Sequence, residues 1–133
     1  MAVVCVFTAA PAWAGDVTVT VLGVRNGKGE VRFALYDRAS EFPLGKHFGE
    51  SEVPAAPGEV TTVFKNVPPG IYAVAVYHDE NDNDKMDLLF DLVPQEGYGF
   101  SNDAKVVVVP PTFAAASFKV PEDGIAIRLH MVY

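Results

Sequence analysis

From Asp16 onward the chain alternates apolar and polar residues with period two, and this pattern restricts it to a β fold more firmly than any other feature. Val17, Val19 and Val21 alternate with Thr18 and Thr20, a β-branched run suited to a half-buried strand. Asn26-Gly27-Lys28-Gly29 is a turn signal, because the Asn-Gly pair favours positive φ. Val31, Phe33 and Leu35 then alternate with Arg32, Ala34 and Tyr36, and the spacing predicts a hairpin over 17–36. Val60–Phe64 reads as a third strand. Pro68-Pro69-Gly70 turns the chain into Ile71–Tyr77, a continuous apolar run of the kind found in a central strand covered on both faces. Lys105–Val109 reads as a further strand ended by Pro110-Pro111, and Thr112 as the N-cap of a short helical turn. Phe118 and Val120 begin another strand, and Glu122-Asp123-Gly124 leads into a last inward row of Ile125, Ile127, Leu129 and Met131. Residues 37–58, with Pro43, Pro54 and Pro57, read as a long loop holding one helical turn near Arg38–Phe42. About seven short strands without a long helix predict an all-β fold, a single seven-stranded antiparallel β-sandwich.

The 133 residues, 50% hydrophobic and 20% charged, suffice for one globular domain, or for one domain and an export signal. No apolar run reaches the roughly 18–20 residues of a membrane-spanning helix. The net charge of -7 repels a phosphate backbone and argues against nucleic acid as a partner. Cys5 is the sole cysteine, so neither an intrachain disulfide nor a cysteine zinc site can form. Residues 1–14 read as a signal peptide: an uncharged apolar stretch from Ala2 to Ala10 precedes Ala12-Trp13-Ala14, a small-x-small cleavage pattern. Cleavage there leaves a mature domain of residues 15–133, exported to the periplasm or secreted.

The segment 78–91 concentrates charge. Six of the seventeen acids (Asp79, Glu80, Asp82, Asp84, Asp87 and Asp91) stand here against Lys85 alone. Carboxylates crowded this closely repel one another unless water, salt or a cation screens them, and a hard divalent cation with oxygen ligands is the direct relief. Asp79, Asn81, Asn83 and Asp87 fall at the first, third, fifth and ninth places of a calcium-loop template, with the Lys85 carbonyl at the seventh. The sixth place, normally glycine, is Asp84. The twelfth, normally a bidentate glutamate, is Phe90, with Asp91 one residue beyond. The expectation is a strand–loop Ca2+ site distinct from an EF-hand; the alternative is a solvated, ion-free acidic turn. His78 reads either as a functional imidazole or as a strand-end side chain that orders the loop.

Two motifs carry a resemblance. Tyr72-Ala73-Val74-Ala75-Val76-Tyr77-His78-Asp79-Glu80-Asn81 with Asp87, and Pro94-Gln95-Glu96-Gly97-Tyr98-Gly99-Phe100-Ser101-Asn102, resemble the exported bacterial domain of unknown function 2141 family. The resemblance extends over nearly all of the mature chain and implies a small transthyretin-like or immunoglobulin-like sandwich with no assigned biochemical role. The chain departs from the family pattern at Asp82, Asp84 and Leu92, which stand where glycines are usual, and at Leu88-Leu89, which replace a more polar pair. In the second motif, Tyr98 and Phe100 can be presented to a ligand with Ser101 and Asn102 as polar contacts. Equally, the aromatics can plug one end of the sandwich while Ser101 or Asn102 caps a turn.

No Gly-x-Ser-x-Gly elbow accompanies Ser101 and His78, and a run of solvated acids does not split carboxyl pKa values as catalysis requires. The sequence therefore reads as a non-catalytic binding or accessory module, a monomer with an unidentified envelope or extracellular partner. A carbohydrate- or peptide-binding face built from Tyr77, Tyr98 and Phe100 is the third reading.

Overall fold

The structure is a computed structural model that describes residues 14–80, 88–89, 93–94, 97–106 and 109–133. It is all-β. Its strands are β1 (Gly15–Val24), β2 (Glu30–Tyr36), β3 (Gly49–Pro54), β4 (Gly58–Val67), β5 (Gly70–Asp79), β6 (Leu88–Leu89), β7 (Val93–Pro94), β8 (Tyr98–Phe100), β9 (Phe118–Val120) and β10 (Ile125–His130). One sheet has the order β10-β1-β4. The other runs β3-β2-β5-β8, with β9 paired to the start of β5, and β6 pairs β7 separately.

The inward rows form where the alternation places them. Val17, Val19 and Val21 of β1 and Val60 and Phe64 of β4 meet Val31, Phe33 and Leu35 of β2 and Val74 and Val76 of β5 in one buried core. Burying a side chain of this size contributes about 1.5–3 kcal/mol, which is why the apolar row of each strand must face the other sheet. Leu129 and Met131 complete the core from the C-terminal side. The two sheets do not close into a barrel. They approach along one side where Ser51 of β3 hydrogen-bonds Thr62 of β4, and along the other where Tyr98 and Val132 exchange backbone hydrogen bonds of 2.9 and 2.7 Å.

The run Ile71–Tyr77 is central, as its composition predicts, between β2 and β8. Its outer face is covered by a second, smaller cluster. Ala73, Phe100 and Ala116 are buried there, packed by Phe42, Tyr98, Val106 and Phe113. Ala116 and Phe113 come from a one-turn helix, α1 (Phe113–Ala116), whose N-cap Thr112 accepts a hydrogen bond from the Ala115 N–H at 3.1 Å. Phe42 arrives from the turn after β2, where the Glu41 and Phe42 N–H groups bond the carbonyls of Arg38 and Ala39.

Four sequence expectations are corrected. First, the strands are not all antiparallel: β1 and β10 run parallel, with Val17 opposite Ile125 and Leu22 opposite His130. Second, β1 and β2 do not form a hairpin. Their connecting turn crosses between sheets, β1 pairing with β4 and β2 with β3 and β5. A hairpin and a crossing turn leave the same inward rows, so alternation alone does not separate them. Third, the supposed loop 37–58 contains β3, whose Glu50 and Glu52 point outward; charged residues on a short edge strand guard it against pairing with another chain. Fourth, Lys105 and Val106 at the start of the expected strand 105–109 are not in a strand, with 107 and 108 outside the described residues, whereas Tyr98–Phe100, where no strand was expected, is one. Among the described residues the two main sheets thus hold eight strands, where seven were expected.

Candidate functional site: the motif end of the central strand

The end of β5 carries His78, Asp79 and Glu80, and the pleat sends the first two to opposite faces. His78 lies opposite Val31 on the core side and Asp79 opposite Glu30 on the outer side. Both are fully buried.

His78 is held at both ring nitrogens. Nε2 lies 2.7 Å from the Lys28 carbonyl, which can only accept, so Nε2 carries a proton. In the neutral ring Nδ1 then accepts from the Tyr133 hydroxyl, also at 2.7 Å. That hydroxyl in turn accepts from the Arg25 N–H at 3.0 Å. Burial is the main cause that holds the Tyr133 phenol above its ordinary pKa, with the Arg25 N–H acting the other way. His78 thus ties β5 to the turn after β1 and to the C-terminal residue.

Asp79 meets a guanidinium. Arg32 projects from the outer face of β2, where Glu52 of β3 is directly opposite on one side and Tyr77 on the other. It donates from Nε to Asp79 Oδ2 at 3.0 Å, from one terminal nitrogen to Glu30 at 3.0 Å and from the other to Glu52. Glu30 and Asp79 would otherwise face each other as like charges across the ladder, a destabilising pair. Burial opposes the Arg32 charge, but hydrogen bonds to Asp79 and Glu52 prevail and raise its pKa.

Glu80 is neutralised by Arg25, which reaches it with two nitrogens at 2.8 and 2.6 Å while its guanidinium stacks 4.4 Å over the Tyr133 ring. Asn26 adds a third hydrogen bond at 2.8 Å. The bond from Arg25 is the largest cause that brings the Glu80 carboxyl from 4.5 down to about 2, burial working against it. A carboxyl with a depressed folded-state pKa contributes stability that is fully present above its unfolded value and disappears as the pH falls through the folded one. On titration from pH 5 towards 2 the urea midpoint should therefore fall, and Arg25→Met should give a shallower decline over that window.

The second motif is a clip. Ser101 Oγ is buried, accepts from the Val74 N–H at 2.9 Å and donates to the Ala116 carbonyl. Asn102 Nδ2 donates to the Ser117 carbonyl at 2.7 Å. Asp103 accepts from the His130 N–H at 2.8 Å and faces the His130 ring at 3.0 Å. Asn102 and Asp103 both have positive φ, 62° and 53°, a conformation that short polar side chains tolerate. Together the three residues fasten β8 to β5, α1 and β10.

Of the expected cation ligands, Asn81, Asn83, Lys85, Asp87 and Asp91 lie outside the described residues, as do residues 1–13 of the expected signal peptide 1–14. Asp79 is described, and its Oδ2 belongs to Arg32. Among the described residues no group of three or more His, Cys, Asp or Glu is arranged to hold a metal ion. Of the second motif, Phe100 is buried against Phe42 with ring centroids 5.9 Å apart, and Tyr98 is half-buried beside it. Arg25, Asn26, Glu30, Arg32, Glu52 and Tyr133 are not marked by the sequence as partners of the motif residues. Their place at the site follows from strand pairing, and only the outward charged pair Glu30 and Arg32 on an otherwise apolar strand hinted at it.

These features define a class: a two-sheet β domain whose motif residues brace the ends of its central strand. Over residues 19–128 the chain matches the model of a family described as an uncharacterized protein conserved in bacteria, DUF2141, and it belongs to that family. No curated protein and no solved structure matches it. Among the described residues no helix is long and apolar enough to cross a membrane.

Proposed function

We propose that the chain is an exported, monomeric, non-catalytic binding or accessory module of the periplasm or extracellular space, built on a transthyretin-like or immunoglobulin-like sandwich. The observation that carries this reading is the engagement of the motif's polar side chains in internal hydrogen bonds. Ser101 Oγ bonds Val74 and Ala116, and both ring nitrogens of His78 bond Lys28 and Tyr133, so neither is poised to activate the other. These side chains stiffen the strand ends that flank the segment 81–96, as a scaffold for a binding segment requires. Export is supported by the apolar stretch from Ala2 to Ala10 followed by the small-x-small pattern Ala12-Trp13-Ala14, the sequence of a leader cut before Gly15.

The test separates bracing from catalysis. Ser101→Ala leaves the buried Val74 N–H without its acceptor and should lower unfolding free energy by about 1–3 kcal/mol. The same variant should change no turnover on ester, glycoside and phosphate substrates. A hydrolysis rate in the parent chain that disappears in both Ser101→Ala and His78→Phe would overturn the non-catalytic reading. Mass analysis of the chain recovered from the exported fraction should place its N-terminus at Gly15.

A calcium-ordered loop belongs to the same proposal. Arg32 and Arg25 already answer two of the six acids, Asp79 and Glu80. Asp82, Asp84, Asp87 and Asp91 remain against Lys85, and the calcium reading gives Asn81, Asn83, Asp87, Asp91 and the Lys85 carbonyl as ligands, with Asp79 shared with Arg32. Free calcium at a hundredfold excess over its dissociation constant should stabilise the chain by about 2.7 kcal/mol. Asp87→Asn should abolish the shift, and identical melts in calcium and chelator would reject the ion.

A further inference from the structure

Where β8 meets the C-terminal segment after β10, the surface opens into a groove of about 460 Å³. That is within the roughly 300–1,000 Å³ of small-molecule sites. Tyr98, Phe100, Val106 and Val132 supply its apolar lining, and Asp103, Lys105 and His130 its polar one. The lining is held rigidly. Tyr98 is bonded through its backbone to Val132, Phe100 is wedged between Phe42 and Tyr98, and Asp103 is fixed to His130.

The charges of the groove are unequally satisfied. The Asp103 carboxylate accepts from the His130 backbone N–H and lies 3.0 Å from the ring Nδ1, so little of its capacity is left for a ligand. Lys105 is exposed, and among the described residues its ammonium has no carboxylate partner. The Tyr98 hydroxyl likewise has no hydrogen-bond partner among the described residues. An apolar lining with one cation and one hydroxyl unanswered among the described residues is complementary to an apolar body that ends in an anion.

Building on the binding-module reading, we propose that this groove takes a small carboxylate with an aromatic or branched apolar body, its carboxylate held by Lys105 and the Tyr98 hydroxyl. The net charge of -7 does not prevent this, because at about 0.15 M salt charges more than roughly 8 Å away are largely screened and the near cation decides. A hydrogen bond from an ammonium to a carboxylate is about twice as strong as a neutral one, which selects the acid over its alcohol.

The test is a titration of the isotope-labelled chain with 3-phenylpropanoate, 3-phenylpropan-1-ol and 3-phenylpropylamine, followed at the backbone amides. The acid should saturably shift the amides of Tyr98, Gly99, Val106 and Val132, and bind about tenfold more tightly than the alcohol, with the amine weakest. Lys105→Gln, on an exposed side chain, should bring the acid down to the affinity of the alcohol without changing the melting temperature. Equal binding of all three compounds, no shift of those amides at millimolar acid, or full acid affinity in Lys105→Gln would overturn the proposal. Each of these results leaves the turnover and calcium tests untouched, so a failure here is separable from a failure of the binding-module reading.

Discussion

Replacing Arg32 by methionine should lower the unfolding free energy by about 3–5 kcal/mol, the range for removing one partner of a buried ion pair. The reason is what stays behind. Asp79 is fully buried, faces Glu30 across the ladder, and loses the guanidinium that separates the two charges. The loss should be read by urea unfolding at neutral pH. Arg32→Met combined with Asp79→Asn should recover a large part of it, because the double variant no longer buries a carboxylate stripped of its guanidinium. A cost below about 1 kcal/mol for the single variant would mean that Arg32 and its three carboxylates behave as surface ion pairs. If Glu30 and Glu52 alone accounted for the effect, the double variant would recover nothing.

Gly29→Ala should be nearly as damaging, by about 3 kcal/mol: roughly 1–2 for a side chain at positive φ and a further 1–3 for overpacking. Gly29 has φ 64°, and a Cβ there would stand 1.9 Å from the Asp79 carbonyl oxygen, a contact with backbone that no rotamer can relieve. The strand end that carries His78 and Asp79 would have to move. Gly58→Ala is the control, since Gly58 also has positive φ, 95°, but opens onto empty space and should lose only the conformational part. Equal losses for the two variants in thermal melts would show that the close approach of this turn to β5 matters little.

Both variants test parts of the site that periodicity did not expose. Gly29 was legible as a turn residue, yet the turn's contact with Asp79 required knowing that β2 pairs antiparallel to β5 in the register Glu30 opposite Asp79. Arg32 was legible as an outward residue of a strand, but its three carboxylates come from positions 30, 52 and 79. One of those, Glu52, lies in a segment whose prolines suggested a loop, because β3 has a single strongly apolar inward residue, Val53. The parallel pairing of β1 with β10 was hidden for a related reason: side-chain alternation is the same whichever way the neighbour runs.

The sequence by itself determined the all-β character, which valines and aromatics face the core, the helical cap at Thr112 and the two motifs that mark the family, because these depend on neighbours a few residues apart. Only the tertiary structure decided that β1 and β2 part into different sheets, that Arg32 and Arg25 answer Asp79 and Glu80, and that Ser101, Asn102 and Asp103 serve as braces. Each of those outcomes depends on which distant backbone a side chain meets, and a polar residue carries no local mark of whether its partner will be water, a ligand or another strand.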